Sequence, residues 1–234
     1  MILSHPQMNN DTLTPFKALL ILLLVVTGLA LDQKIPFWGQ WIANISTWAL
    51  LLVLAKQSDI KTRISLALCV CLAGLGEYLL SNLWGLYDYR LRFIPAFVPP
   101  GHALIFILGC YIASKLKDAV NSWVPALSAL PVMYLALSGH DTLSLHLYLV
   151  FLLCMLFSKN KKLYAVMFVL ALGLELYGTY LGNWQWRPIV PLVGLVTLNP
   201  PLSAGVFYCL LDLLTVYLTR QCSGWLPAPC LIKK

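Results

Sequence analysis

Residues 35–55 read IPFWGQWIANISTWALLLVLA, an uncharged run between Lys34 and Lys56. A membrane-spanning helix needs roughly 20 predominantly apolar residues, and this run supplies them. The same spacing recurs outward along the chain. No charge falls between Arg92 and Lys115, between Asp118 and Asp141, or between Arg187 and Asp212. Lipid offers no partner to backbone N–H and C=O groups, so a crossing segment must be helical. The pattern predicts eight spans, at 16–31, 38–55, 64–83, 98–114, 123–138, 143–158, 163–182 and 200–219. The expected fold is an all-α polytopic membrane helix bundle, a single integral membrane domain over residues 1–234.

Composition agrees. The chain is 60% hydrophobic and 11% charged, against about 25% charged in soluble domains, which excludes a soluble enzyme and a disordered tail. The net charge of +7 points to no nucleic-acid partner, because such binding needs basic residues clustered on one face. Here they follow the rule that cytoplasmic loops are enriched in Lys and Arg. The even-numbered connections and the two ends carry Lys17, Lys56, Lys61, Arg63, Lys115, Lys117, Lys159, Lys161, Lys162, Arg220, Lys233 and Lys234. The odd-numbered connections carry only Lys34, Arg90, Arg92 and Arg187. Both termini are therefore expected in the cytoplasm, with a bacterial inner membrane as the expected location and membrane lipid as the surroundings. Gly28 and Ala30 have cleavage-like spacing before Leu31, but Lys17 alone is basic ahead of them, so the first span reads as retained rather than as a signal peptide.

The cysteines form no CxxC pair. Cys69, Cys71, Cys110, Cys154 and Cys209 fall in spans, where Cys behaves as a small hydrophobe. Cys222 and Cys230 fall on the expected cytoplasmic side, where thiols stay reduced.

An internal repeat is the most informative feature. Its first copy has Glu77, then Gly85-Leu86-Tyr87-Asp88-Tyr89-Arg90, Pro95 and Pro99-Pro100-Gly101-His102-Ala103. Its second has Glu175, then Gly182-Asn183-Trp184-Gln185-Trp186-Arg187, Pro191 and Pro200-Pro201-Leu202-Ser203-Ala204. Both read as an acidic residue, Gly-x-aromatic-x-aromatic-Arg, prolines, and Pro-Pro-x-x-Ala. The expected halves are residues 16–114 and 123–219, in one orientation, related by an axis along the membrane normal. Proline lacks an N–H and restricts its predecessor, so both segments should be irregular and extended.

Glu77 and Glu175 lie inside spans, where an ionisable residue marks function by default. A structural reading stands beside this one: each Glu bonds a neighbouring helix or one of Arg90, Arg92 and Arg187. Trp84, Tyr87, Tyr89, Trp184 and Trp186 suit either a headgroup-level belt or a cation-stabilising wall. His102, His140 and His146 lack metal-site spacing, so no metal is expected, and the chain has no nucleotide- or cofactor-binding motif. Asp212 lies alone in the last span, opposite in depth to the other polar residues.

At these residues the chain resembles the polytopic membrane proteins of carotenoid biosynthesis that include the carotenoid 1,2-hydratases and bisanhydrobacterioruberin hydratase. The similarity rests on Glu77, Gly85, Tyr87, Tyr89, Val98 and Pro99, and on Glu175 nine positions before Trp184, with Trp186, Pro191 and Asn199. It covers roughly residues 73–113 and 171–212. The chain departs from that pattern in having Glu rather than Asp at 175 and Pro200-Pro201 after Asn199. The resemblance implies a cofactor-free hydratase acting on an isoprenoid. Glu77 and Glu175 would then be catalytic, and Trp84, Tyr87, Tyr89, Arg90, His102, Trp184, Trp186, Arg187 and Asn199 would bind substrate. Two other readings remain open: a small-solute or lipid transporter with proton-carrying carboxylates, and a structural membrane protein that binds a partner.

Overall fold

The computed structural model describes residues 14–35, 37–158 and 160–223; Lys159, Lys233, Lys234 and Cys230 lie outside them. Eight helices follow one another among the described residues: α1 (Pro15–Lys34), α2 (Trp38–Lys56), α3 (Ile60–Glu77), α4 (Val98–Lys115), α5 (Val120–Leu137), α6 (Thr142–Phe157), α7 (Lys161–Leu181) and α8 (Val206–Ser223). Their order and positions follow the eight expected segments. α1, α2, α3 with its extension to Trp84, α5 and α7 are long and apolar enough to cross a membrane, while α6 is apolar but shorter. The chain is thus compatible with an integral membrane protein.

Local sequence accounts for the helix ends. Thr14 caps α1, its hydroxyl accepting from Lys17 N, with Pro15 at the first position, where a missing N–H is harmless. Asp59 caps α3 and Asp141 caps α6 through side-chain bonds to Thr62 N and Ser144 N. The two glycines of the repeated pattern act alike. α3 continues as a π-helical stretch, Tyr78–Trp84, that ends at Gly85 with φ +73°, and α7 ends at Gly182 with φ +81°. Only glycine takes that left-handed conformation without strain.

The last helix begins later than expected, at Val206 rather than 200. Pro200 and Pro201 have no N–H to give. The next two N–H groups leave the helical pattern: Leu202 N donates to Asp141 Oδ2 at 3.0 Å and Ser203 N to Ser144 Oγ at 3.1 Å.

Tertiary bonds separate the two ends of the bundle. At one end Lys17 Nζ donates to Gln57 Oε1 at 2.6 Å, and Lys162 Nζ pairs with Asp118 at 2.7 Å. This end carries the Lys- and Arg-rich connections. At the other end Arg90 meets Asp32, Arg187 meets Asp88, and Leu143 N donates to Val196 O. The proline-rich segments lie here. The sequence predicts them to be irregular and extended; in each, three extended residues form a strand, and β1 (Tyr87–Tyr89) pairs antiparallel with β2 (Trp184–Trp186).

The core is formed by α3, α4, α7 and α8, with α3 against α4 and α8, and α7 against the same two. The α1–α2 hairpin leans on α4 and α7, and the α5–α6 hairpin on α7 and α8. In lipid, helices gain little hydrophobic drive from meeting, so close packing and small residues decide the contact. Gly205 shows this: a Cβ there would lie 2.3 Å from Phe168 O. Backbone cannot yield as a side-chain tip can, so Gly205→Ala is expected to lower stability by about 1–3 kcal/mol through overpacking. Thermal unfolding in detergent checks this.

Candidate functional site

The period-2 alternation of a strand sorts the repeated aromatics. Tyr87 stands opposite Trp186, Tyr89 opposite Trp184, and Asp88 opposite Gln185. The four rings therefore share one buried face. Tyr87 and Trp186 centroids lie 4.7 Å apart, and those of Tyr89 and Trp184 6.2 Å apart. Asp88 and Gln185 share the other face, where Arg187 Nε and Nη2 reach Asp88 at 3.2 Å each. That ion pair is largely exposed, so Arg187→Ala should change stability by no more than about 1 kcal/mol, measured as a shift in Tm.

Beneath the aromatic face lie both carboxylates. Glu77, at the end of α3, accepts hydrogen bonds at Oε2 from the Tyr87 and Tyr89 hydroxyls, both at 2.6 Å. Burial, and next the Glu77 carboxylate, hold both phenols well above their usual pKa, so they stay protonated and donate. Glu175, on α7, accepts at Oε2 from the indole N–H groups of Trp184 at 2.8 Å and Trp186 at 2.9 Å. The two carboxyls are close enough for charge on one to act on the other. Each copy of the repeat thus holds its own Glu with its own aromatic pair, two phenols in one case and two indoles in the other.

His102 completes the arrangement. Its Nδ1 lies 2.9 Å from Val98 O. A carbonyl only accepts, so Nδ1 is the donor. Nε2 faces Glu77 Oε1 at 3.3 Å. Tyr208 of α8 stacks on the imidazole, with centroids 4.7 Å apart and planes 11° apart.

Glu77, Tyr87, Tyr89, His102, Glu175, Trp184 and Tyr208 all line one cavity of about 70 Å³, room for several waters. Its opposite wall is apolar and comes from α1 and α2, through Leu24, Val25, Leu29 and Ala43, with Thr47 the polar exception.

Five residues expected to bind substrate, Trp84, Arg90, Trp186, Arg187 and Asn199, do not line this cavity. Arg90 donates through Nη2 to Asp32 O at 2.6 Å and to Asp32 Oδ1 at 3.2 Å. Arg187 is held by Asp88 on the outer face. Trp84 donates its indole N–H to Pro191 O, and Asn199 Oδ1 accepts from Trp186 N. The last two brace the ribbon. Trp186 reaches the site through its bond to Glu175. Neither Arg90 nor Arg187 bonds a Glu; each instead has an Asp partner that leaves the carboxyls to the aromatic groups.

Two participants are not apparent from the repeat. Asp32 is buried at the end of α1 and also accepts from Asn183 Nδ2 at 2.9 Å, so it ties α1 to both copies. Tyr208 has only one signal in the sequence, its place on α8 one turn before Asp212. Asp212, expected to lie alone, has the hydroxyl of Tyr164 as a hydrogen-bond neighbour and the thiols of Cys69, Cys110 and Cys209 around it.

The fold and site thus define an all-α chain with five helices apolar enough to cross a membrane and a buried pair of carboxyls under an aromatic ribbon. No family model, no curated protein and no solved structure matches the chain.

Proposed function

We propose that the protein is an integral membrane enzyme that adds water to a terminal isoprenoid double bond, without a cofactor. The observation that carries this reading is the convergence of Glu77 and Glu175, from the two copies of the repeat, on one aromatic-lined cavity that also holds His102.

Hydration of such a double bond needs an acid, a surface for a cation, and a base. The Glu77–His102 pair supplies the acid. Both phenols occupy Oε2, so the mobile proton lies between Oε1 and Nε2. It passes to the CH carbon of the terminal double bond, forming a C–H bond and leaving a tertiary carbocation on the dimethyl-substituted carbon. The faces of Tyr87, Tyr89, Trp184 and Tyr208 stabilise that cation, and so does the negative charge of Glu175. Water then forms the C–O bond and gives up a proton to Glu175, whose Oε2 is fixed by two indoles and whose Oε1 takes no bond from the described residues. General acid–base catalysis of this kind contributes about 10²–10⁴-fold. The apolar wall of α1 and α2 suits a hydrocarbon tail arriving from lipid.

The chain is further proposed to span a bacterial inner membrane eight times, in two like halves, with both termini cytoplasmic. Two observations support this: the contrast in Lys and Arg content between the two ends of the bundle, and the matching contacts α3–α4 with α7–α8 and α3–α8 with α7–α4.

Lipid extracts from cells producing the wild-type chain, compared with extracts from cells producing the Glu77→Gln, Glu175→Gln double variant, test the reaction. Mass spectrometry should find an isoprenoid heavier by one water in the wild type alone. Identical extracts would sink the hydratase reading. Accumulation of an unmodified solute or lipid on one side of the membrane would instead favour transport.

A further inference from the structure

A second polar system runs through the core and starts at one wall of the cavity. Along α8, Tyr208, Asp212, Thr215 and Thr219 recur at intervals of four, three and four residues, which puts them on one helix face. All four are buried. The stripe starts in the cavity, where Tyr208 lies in the field of Glu77, Glu175 and Cys69. Cys69 of α3 in turn lies in the field of Asp212 and near the Thr215 hydroxyl. Beyond Asp212, the Tyr164 hydroxyl of α7 lies within hydrogen-bonding reach of both Asp212 and Ser158. Ser158 is the C-cap of α6, at the end of the bundle that carries the basic connections. Asp212 is thus surrounded by Cys69 of α3, Cys110 of α4, Tyr164 of α7 and Cys209 of its own helix.

The Thr215 and Thr219 hydroxyls donate to Leu211 O and Thr215 O of their own helix, but the Asp212 carboxyl is costly in a membrane core. An ionisable residue there marks an ion or proton pathway more often than a stabilising contact. A lone bond to Tyr164 would hold α7 to α8 without the remaining hydroxyls and thiols. Those groups extend the polar track from the cavity to one end of the bundle.

We propose that Asp212 is a proton relay between the cavity carboxyls and the end of the bundle that carries the Lys- and Arg-rich connections. Tyr208 lies on its cavity side, Cys69 stands beside it, and Tyr164 and Ser158 lie on its outlet side. Each group accepts one proton as it passes one on, with water bridging the longer steps, so no oxidant or other reactant is needed. The relay serves any chemistry that changes protonation in the cavity, and it stands apart from the hydratase reading.

The full chain in liposomes, followed by infrared spectroscopy, tests this. The carboxylic-acid C=O band of the cavity is identified by its loss in Glu77→Gln or Glu175→Gln. On transfer to D₂O that band shifts as its proton exchanges. Asp212→Asn still accepts from Tyr164 but cannot relay, so the shift should slow by about tenfold or more, equivalent to about 1.4 kcal/mol of barrier. Asp212→Glu should return most of the rate. Equal unfolding temperatures for the wild type and Asp212→Asn exclude a merely structural effect. Exchange at the wild-type rate in Asp212→Asn would overturn the relay, while water addition by that variant would leave the enzyme reading standing.

Discussion

Replacing Glu77 by Gln is expected to reduce water addition by about 10²–10⁴-fold, the usual contribution of a positioned acid, and to leave the fold intact. The local bonds explain why the two effects separate. The amide oxygen of Gln can accept from both Tyr87 and Tyr89, and its NH₂ can donate to His102 Nε2. Every hydrogen bond of the wild-type carboxyl therefore has a counterpart. What is lost is the transferable proton. Glu77→Ala is different, since it leaves two buried phenols without an acceptor at a penalty of about 1–3 kcal/mol each. Product formed per folded protein, together with unfolding temperature, checks the pair. Substantial activity in Glu77→Gln would remove Glu77 from the chemistry.

The largest loss of stability is expected for Asp141→Ala. Asp141 is completely buried. Its Oδ1 accepts from Ser144 N, and its Oδ2 accepts from the Ser144 hydroxyl and from Leu202 N. The first two bonds start α6. The third draws the segment after Pro200 and Pro201 against the start of α6. Hydrogen bonds to a charged group contribute about 1.5–3 kcal/mol each, and stranded buried donors add a penalty of their own, so the variant should lose roughly 3 kcal/mol or more. Asp141→Asn should fall between the two, because an amide oxygen accepts but its NH₂ confronts a donor. Thermal or denaturant unfolding in detergent checks the series. An alanine variant as stable as wild type would mean that these bonds merely replace bonds to water.

The helices were legible because lipid imposes a simple rule on sequence. Charge-free runs of about twenty residues are what a bilayer core demands and what soluble chains seldom contain, and the spacing of Lys34, Lys56, Arg92, Lys115, Asp118 and Asp141 marks most of the boundaries. Glu77 and Glu175 were legible for the same reason, as rare carboxyls inside such runs. Their convergence was legible only as a repeat, since two residues nearly a hundred positions apart carry no local sign of contact. The ribbon was hidden for a different reason. Proline-rich flanks around Tyr87–Tyr89 and Trp184–Trp186 read as irregular chain, and each strand is stable only because the other pairs with it.

Arg90 and Arg187 recur beside the aromatics, which makes them candidates by sequence. The structure gives them Asp32 and Asp88 instead. Asp88 lies one residue from Tyr87, and on a strand that puts it on the opposite face from the rings. Asp32, two residues before Lys34, resembles an ordinary interfacial charge. Its burial depends on Arg90 and Asn183, which arrive from distant segments. His102 apart, the groups that donate to Glu77 and Glu175 are uncharged, two phenols and two indoles.

We propose water addition to an apolar chain by these two carboxyls, which meet under the aromatic ribbon. The test uses the purified protein in lipid with an acyclic isoprenoid bearing a terminal isopropylidene group, in water enriched in ¹⁸O. A tertiary alcohol carrying one ¹⁸O is expected from the wild type, and none above background from Glu77→Gln or Glu175→Gln. An unlabelled, unchanged isoprenoid with folded wild-type protein, or equal labelling by all three proteins, would contradict it.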